Sequence, residues 1–490
     1  MARTQSVPPH RATPTPLPMI SLDPHSDVPL VRQIRDALAL QIDRGTLAVG
    51  ARLPSVRELA RESGVSTMTA TNAYQRLVAD GYVEARPASG YYVAAHGDAS
   101  GQAARRKPFV GRTAVDSLWL IRRVYEDDAS LLNAGCGWIP PEWLQSDAVR
   151  RALAGLARKQ GPALARYGSP HGYLPLRQQI EAQLGARAIQ APPHQIVLTH
   201  GATQALALAG RCLLQPGDAV LVDDPGSTNL FETLRQLGAR LVGVPRLQDG
   251  PDLTALQALA QRHRPKAFFI QTQLHNPTGS SCAPAKAYQL LRLAEQLGFA
   301  IVENDVMAGL EPPGATSLAS LDQLRRVIYV GGFSKLVSPS LRVGFVTANE
   351  EMVDKLIHAK MGDSLTSSEM NERLVHAVLA EGKHRAHVAR LAQRLAEAQV
   401  AVCAGLAKAG LEVFGQPAGG PFLWARLPSE GVDAVAVAQR AVAAGLLLAP
   451  GHLFRPTAER TGWMRFNAAY ADDARVYEFL AREVSVAQRE

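Results

Sequence analysis

Residues 327–346 read VIYVGGFSKLVSPSLRVGFV. Two apolar runs, VIYV and VGFV, enclose a turn of small residues that carries Lys335 and then Arg342. Apolar runs of this length, bounded by Gly and Ser, read as strands buried on both faces. A lysine just past the end of such a strand has two readings. It is a surface lysine with its ammonium in water, or a lysine desolvated enough to act as an amine nucleophile toward a carbonyl cofactor. In the second case Arg342 stands where a phosphate tail could be clamped. The rest of the chain has to decide.

Working outward, short apolar runs alternate with helix-length segments from about residue 115 to the C-terminus. The runs are QIVLTH, AVLVDD, RLVGV, AFFIQTQ, FAIVEND, VIYVGG and VGFVTA. Strands in alternation with helices imply a mostly parallel sheet covered on both faces, an α/β architecture. Upstream, residues 26–95 have a different grain. In PLVRQIRDALALQIDRG, Leu30, Ile34, Leu38 and Ile42 recur every four residues, and Gly45 ends that helix. Ser55 and Glu58 form a capping box ahead of a second helix, Gly64 allows a tight turn, and a third helix opens at Ser66 with Tyr74 and Leu77 on its inner face. YVEARPASGYYV then reads as two strands joined by a turn. Helix, turn, helix and wing are the parts of a winged DNA-binding module. Residues 1–25 read as a Pro-rich tail and 96–114 as a flexible linker.

Composition sets the bounds. The chain has 490 residues, enough for two or three domains, and is 47% hydrophobic with a net charge of +8. Eight arginines against seven acids within residues 26–97 leave the basic excess unconcentrated there, so charge alone does not identify a nucleic-acid partner. The four cysteines are far apart and form no CxxC pair, which argues against a disulfide framework or a metal site and suits a reducing cytoplasm. No apolar run of about 18 residues appears, so no membrane span is expected.

Other segments bear on Lys335. VLTHGATQALALAG runs from strand to helix, and the free N–H groups at Gly201, Ala202 and Thr203 make a phosphate cradle. QLHNPTGS places Asn276 after a strand, where a plain Pro-Thr-Gly turn is an equal reading. GWMRFNAAY puts Arg465 on a strand, where it could grip a carboxylate bidentately. In this order, with YGSPHGYLPLRQQI, VENDV and FSK ahead of Arg342, the pieces resemble the fold-type I pyridoxal-phosphate enzymes of the aspartate-aminotransferase superfamily over about residues 130–485. Residues 28–95 closely resemble the GntR-type winged helix-turn-helix. The two-part arrangement resembles the MocR-type transcription regulators.

The resemblance implies specific roles. Lys335 would form a Schiff base with pyridoxal phosphate, while Ser334, Arg342 and the Gly201–Thr203 turn would hold its phosphate. Asn276 would lie by the ring hydroxyl, Asn304 at the ring nitrogen, and Arg465 would grip an amino-acid effector. Tyr167 would reach across a head-to-tail homodimer, and the large domain (115–490) would end in a smaller α+β subdomain. On double-stranded DNA, Arg57 would hold the backbone and Ser66, Thr67, Thr69 and Thr71 would face the major groove. Arg86, Ser89 and Gly90 would approach the minor groove.

The chain departs from the family pattern around the ring. Ser227 replaces a stacking aromatic, Asn304 an Asp, Met307 a Tyr and Gly332 a Ser or Thr. Thr67 stands where the reader family has Arg. An Asn can hydrogen-bond a pyridine nitrogen but cannot hold its proton electrostatically, so the cofactor's electron sink is weakened. Asp305 could substitute only through a local bulge, because neighbours on a strand face opposite sides. The leading expectation is a ligand-responsive transcription regulator with little or no turnover. The alternatives are a working aminotransferase with a fused reader, and a regulator that uses the fold only as a dimerisation scaffold.

Overall fold

The computed structural model describes residues 22–23, 28–43, 45–86, 89–94, 131–159, 166–417, 419–428 and 432–487. The expected tail, apart from Leu22 and Asp23, and the expected linker 96–114 lie outside these residues. The chain divides into two units, Met1–Thr113 and Ala114–Glu490.

The first unit has three helices, α1 (Leu30–Asp43), α2 (Val56–Glu62) and α3 (Thr67–Ala79), followed by an antiparallel pair, β1 (Val83–Arg86) and β2 (Gly90–Val93). The four-residue repeat in α1 buries Ile34, Leu38 and Ile42 against Leu59, Tyr74 and Leu77. Ser55 and Glu58 close a reciprocal cap on α2, which satisfies two otherwise orphaned backbone donors. Ser66 caps α3 by accepting from the Thr69 N–H at 3.0 Å. Tyr74 stacks on Tyr91 of the wing, with ring centroids 4.5 Å apart, and its hydroxyl donates to the Pro54 carbonyl.

The second unit is built on an eight-stranded sheet. Its strands are β3 (Ile196–Thr199), β4 (Ala219–Asp224), β5 (Arg240–Leu247), β6 (Gly250–Pro251), β7 (Ala267–Ile270), β8 (Ala300–Asn304), β9 (Val327–Gly332) and β10 (Gly344–Thr347). They lie in the order β3-β10-β9-β8-β7-β4-β5-β6. The pairs β5/β4, β4/β7, β7/β8 and β8/β9 are parallel, and β10 and β6 run against their neighbours. Both faces are covered. Ile301, Tyr329 and Phe345 enter one core while Val302, Val330 and Val346 enter the other, which is why these strands read as unbroken apolar runs.

A second, antiparallel sheet contains β11 (Glu412–Val413), β12 (Phe422–Arg426), β13 (Ala449–Pro450) and β14 (Trp463–Asn467), in the order β11-β12-β14-β13. The 25-residue helix His384–Lys408 ties the two sheets. Its Leu391 and Leu395 sit in the core of the large sheet, and its Val402 and Leu406 in that of the small one.

Candidate functional site

Past the C-terminal ends of β3, β4, β7, β8 and β9, the strand-to-helix turns and the small sheet enclose a cavity of about 270 Å³. Open parallel sheets place ligand crevices at these strand ends. The turn after β3 contributes Ala202 and Thr203, and the turn after β4 contributes Ser227. Asn276 follows β7, Asn304 ends β8, and Gly332, Ser334 and Lys335 follow β9, with Arg342 beyond. Arg465 comes from β14.

Lys335 is half-buried at the cavity wall, and its ammonium donates to the Gly137 carbonyl. Burial, aided by the positive charges of Arg465 and Arg342, lowers its pKa to about 8. Desolvation disfavours the charged form of an amine, so a useful fraction is neutral near physiological pH. Arg342 is exposed to the cavity mouth and reaches the Ser334 hydroxyl at 3.4 Å. Gly201 does not line the cavity. Its φ is +78°, and a Cβ there would fall 2.7 Å from Arg342 Nη2, so only glycine lets the cradle approach the guanidinium.

Arg465 is buried and, among the described residues, has no acidic partner. It donates to Asn276 Oδ1 at 2.9 Å and to the Gly135 carbonyl at 2.8 Å, and burial lowers its pKa to about 10. A buried cation satisfied by neutral acceptors alone is a ready anion site.

Asn304 is buried, and its Oδ1 has no hydrogen-bond partner. An orphaned amide at the cavity wall has hydrogen-bonding capacity left for a ring nitrogen. A lysine amine of lowered pKa, the Ala202–Thr203 helix start beside Arg342, an orphaned amide and a guanidinium bonded to neutral acceptors fit pyridoxal phosphate. Asp305 does not substitute for the missing carboxylate. It pairs with Arg187 at 2.7 Å and accepts from the Tyr329 hydroxyl at 2.9 Å, on the face shared with Ile301 and opposite Asn304. The pairing of β8 with β9 runs without a bulge through Asn304↔Val330. Met307 and Ser227 line the cavity at the positions where larger polar or aromatic groups were expected.

Tyr167 is 86% exposed and is not among the residues around its own chain's cavity. Several lining residues carried no sequence signal, notably Gly137, Trp138, Gln271 and Phe422.

On the reader, Arg57, Ser66 and Thr67 are exposed at the start of α2 and α3. Three of the hydroxyls expected to face the groove, those of Ser66, Thr69 and Thr71, are internally engaged. Thr69 Oγ1 lies 2.8 Å from Ser66 Oγ, and Thr71 donates to the Thr67 carbonyl at 2.8 Å. Met68, 68% exposed beside Thr67, was missed. In the wing, Arg86 stacks on Tyr92 at 4.4 Å and Ser89 bonds the Tyr92 hydroxyl, next to Gly90.

Comparison with known proteins agrees with both units. Residues 140–482 match the aminotransferase class I and II family, and residues 30–93 match the gntR family of bacterial regulatory proteins. These matches define a class, a helix-turn-helix reader joined to an aminotransferase domain. The chain belongs to the aminotransferase class I and II family, in the two-part form of the MocR-type regulators. A 2-aminoadipate transaminase of Thermus thermophilus is 32% identical, over 72% of this chain and 89% of its own length. The probable rhizopine catabolism regulatory protein MocR of Rhizobium meliloti is 28% identical, over 79% of each chain. The crystal structure of an alpha-aminoadipate aminotransferase from Thermus thermophilus, complexed with N-(5'-phosphopyridoxyl)-L-leucine, superposes with a TM-score of 0.69. It is 28% identical and covers 76% of this chain and 95% of that one.

Proposed function

We propose that the chain is a DNA-binding transcription regulator whose large unit holds pyridoxal phosphate at Lys335 and responds to a small amino compound. The observation that carries this reading is the lysine itself, an amine with pKa near 8 opening onto a cavity that also holds an orphaned amide and a guanidinium bonded to neutral acceptors. Ser334, Arg342 and the amides at Ala202 and Thr203 hold the phosphate. Asn276 and Asn304 orient the ring, and Arg465 takes the carboxylate of an amino acid. When bound, the cofactor supplies an aldehyde carbon to an incoming amine and a ring that accepts electrons. Asn304 cannot keep the ring nitrogen charged as a carboxylate does, so binding outlasts turnover.

On the DNA side, Arg57, Ser66, Thr67, Thr69, Thr71, Arg86, Ser89 and Gly90 contact phosphates and groove edges. A head-to-tail homodimer would bring the partner's Tyr167 toward the phosphate and would pair two readers on two half-sites. The effector acts by binding one spacing of those readers more tightly than another. The free cysteines suit a cytoplasmic setting.

The test is the visible absorption of the purified protein with added pyridoxal phosphate, before and after borohydride, beside Lys335→Ala. A band that borohydride removes and the variant lacks supports the reading. A variant that keeps the band assigns capture to another lysine. DNA binding measured with and without amino acids then reports the response. A second reading, slow amino-group transfer, is favoured by the convergence of Lys335, Asn276 and Arg465, and a coupled amino-acid assay separates it.

A further inference from the structure

The turn that presents Lys335 is held from outside its own sequence. Within the turn, the Val337 N–H donates to the Phe333 carbonyl at 2.8 Å and the Phe333 N–H to Val343 at 3.1 Å. The carbonyl of Leu336, a buried residue next to the lysine, takes no part in these bonds. It accepts from Gln145 Nε2 at 3.0 Å. Gln145 stands immediately before the helix Ser146–Lys159, is itself buried, and lies 191 residues away in sequence.

The second Nε2 hydrogen of Gln145 meets His384 Nδ1 at 2.8 Å. The amide orientation is fixed by chemistry, because the flipped rotamer would set Oε1 against the Leu336 carbonyl. His384 Nδ1 is then an acceptor, so the imidazole carries its proton on Nε2. Burial lowers the His384 pKa to about 4, which keeps the ring neutral in this role.

His384 is the first residue of the helix that bridges the two sheets, and Arg394 of the same helix lies 3.8 Å over the Trp143 ring. The stretch from Gly137 to Gln145 is therefore clamped at its far end by that helix. At its near end, the Gly137 carbonyl receives the lysine's ammonium.

From this geometry we infer that Gln145, oriented by His384, is a positioning residue for Lys335 that fixes the direction in which the amine enters the cavity. It does not line the cavity and acts only through the Leu336 carbonyl. Lys335 must leave Gly137 to react, whereas Gln145 stays, so the turn does not drift when the amine is freed. The inference rests on the reading that Lys335 captures pyridoxal phosphate.

The experiment compares the full-length protein with Gln145→Leu, which keeps the volume and removes both donors. Two readouts are taken: hydrogen exchange of residues 333–338 before any cofactor is added, and the rate at which the visible band grows with pyridoxal phosphate. An unsatisfied buried carbonyl should loosen the turn, giving faster exchange there and capture slower by about tenfold. A merely structural role would change overall stability while leaving capture at the wild-type rate, and that result overturns the inference. Should Gln145→Leu not fold, His384→Phe carries the test, since it leaves Gln145 in place. It is expected to slow capture by about threefold, and an unchanged rate overturns the proposal. If the wild-type protein shows no band, the reading of Lys335 itself has failed. A wild-type band with full-speed variants refutes the positioning role alone.

Discussion

The lysine's depressed pKa makes a quantitative claim about how fast the cavity captures pyridoxal phosphate. Lys335 is brought down from 10.5 to about 8, first by burial and then by Arg465 and Arg342. Only the neutral amine attacks an aldehyde. At pH 7.5 about a quarter of an amine of pKa 8 is neutral, against about 0.1% of an ordinary lysine, so capture should be about 200-fold faster than by a solvent lysine. The sign follows from the direction of the shift. Raising the pH through 8 removes the proton and speeds capture, and further base adds nothing. Between pH 7.5 and 9 the rate should rise about fourfold and then level, whereas an unperturbed lysine would gain about 30-fold over the same interval and continue to climb. The assay is stopped-flow growth of the visible band from pH 6.5 to 10. Dividing by the rate of a model amine of pKa below about 5, which is neutral across the whole range, removes the cofactor's own titration, and Lys335→Ala subtracts capture by other lysines. A normalised rate that still rises about eightfold between pH 9 and 10, as an unperturbed lysine would give, refutes the buried-amine argument.

Other expectations follow from individual contacts. Asn304→Asp restores a charge-assisted partner for the ring nitrogen and should tighten cofactor retention by about tenfold. An absorbance titration reads the affinity, and a single-turnover assay with amino acids shows whether transfer appears. Gly332→Ser should add a phosphate donor without strain, because a Cβ there meets Ala202 Cβ at an ordinary 3.6 Å. Equilibrium dialysis should show a few-fold tighter cofactor binding, with an unchanged melting temperature. Arg187→Met leaves the carboxylate of Asp305, only 1% exposed, without its cation. Removing one member of a buried pair costs about 3–5 kcal/mol, which urea unfolding should register as a large fall in midpoint.

What could be seen in the sequence was the part governed by short-range periodicity. The strands around VIYVGG and AVLVDD were legible because burial on both faces leaves no polar alternation to confuse them with surface strands. The capping box of Ser55 and Glu58 was legible because a cap is a contact between residues three apart. Locality also left the side-chain bonding of α3 unread. The hydroxyls of Thr69 and Thr71, read as facing the groove, also bond within the first turns of their own helix, as Ser and Thr side chains near a helix start tend to do. The exposed thioether of Met68 on that surface then went unremarked.

The cavity divides along the same line. Asn304 and Asp305 could be assigned to opposite faces from parity alone, and the unbulged register beside Val330 keeps them there. The contacts made by Arg465 and by the turn at Lys335 could not be assigned in this way. Gly135 and Arg465 meet across 330 positions, and Gln145 and Leu336 across 191. Neither pair leaves a local pattern, because a buried backbone carbonyl accepts from any donor the tertiary fold delivers and so puts no constraint on its neighbours in sequence. Loop segments such as 133–139 are therefore where sequence reasoning is least informed. Here that segment places the Gly137 carbonyl on the reactive amine. The control of Lys335 accordingly lies in residues whose own sequence context is unremarkable, and variants of Gly137 and Gln145 probe it more directly than further changes among the landmarks that first marked the site.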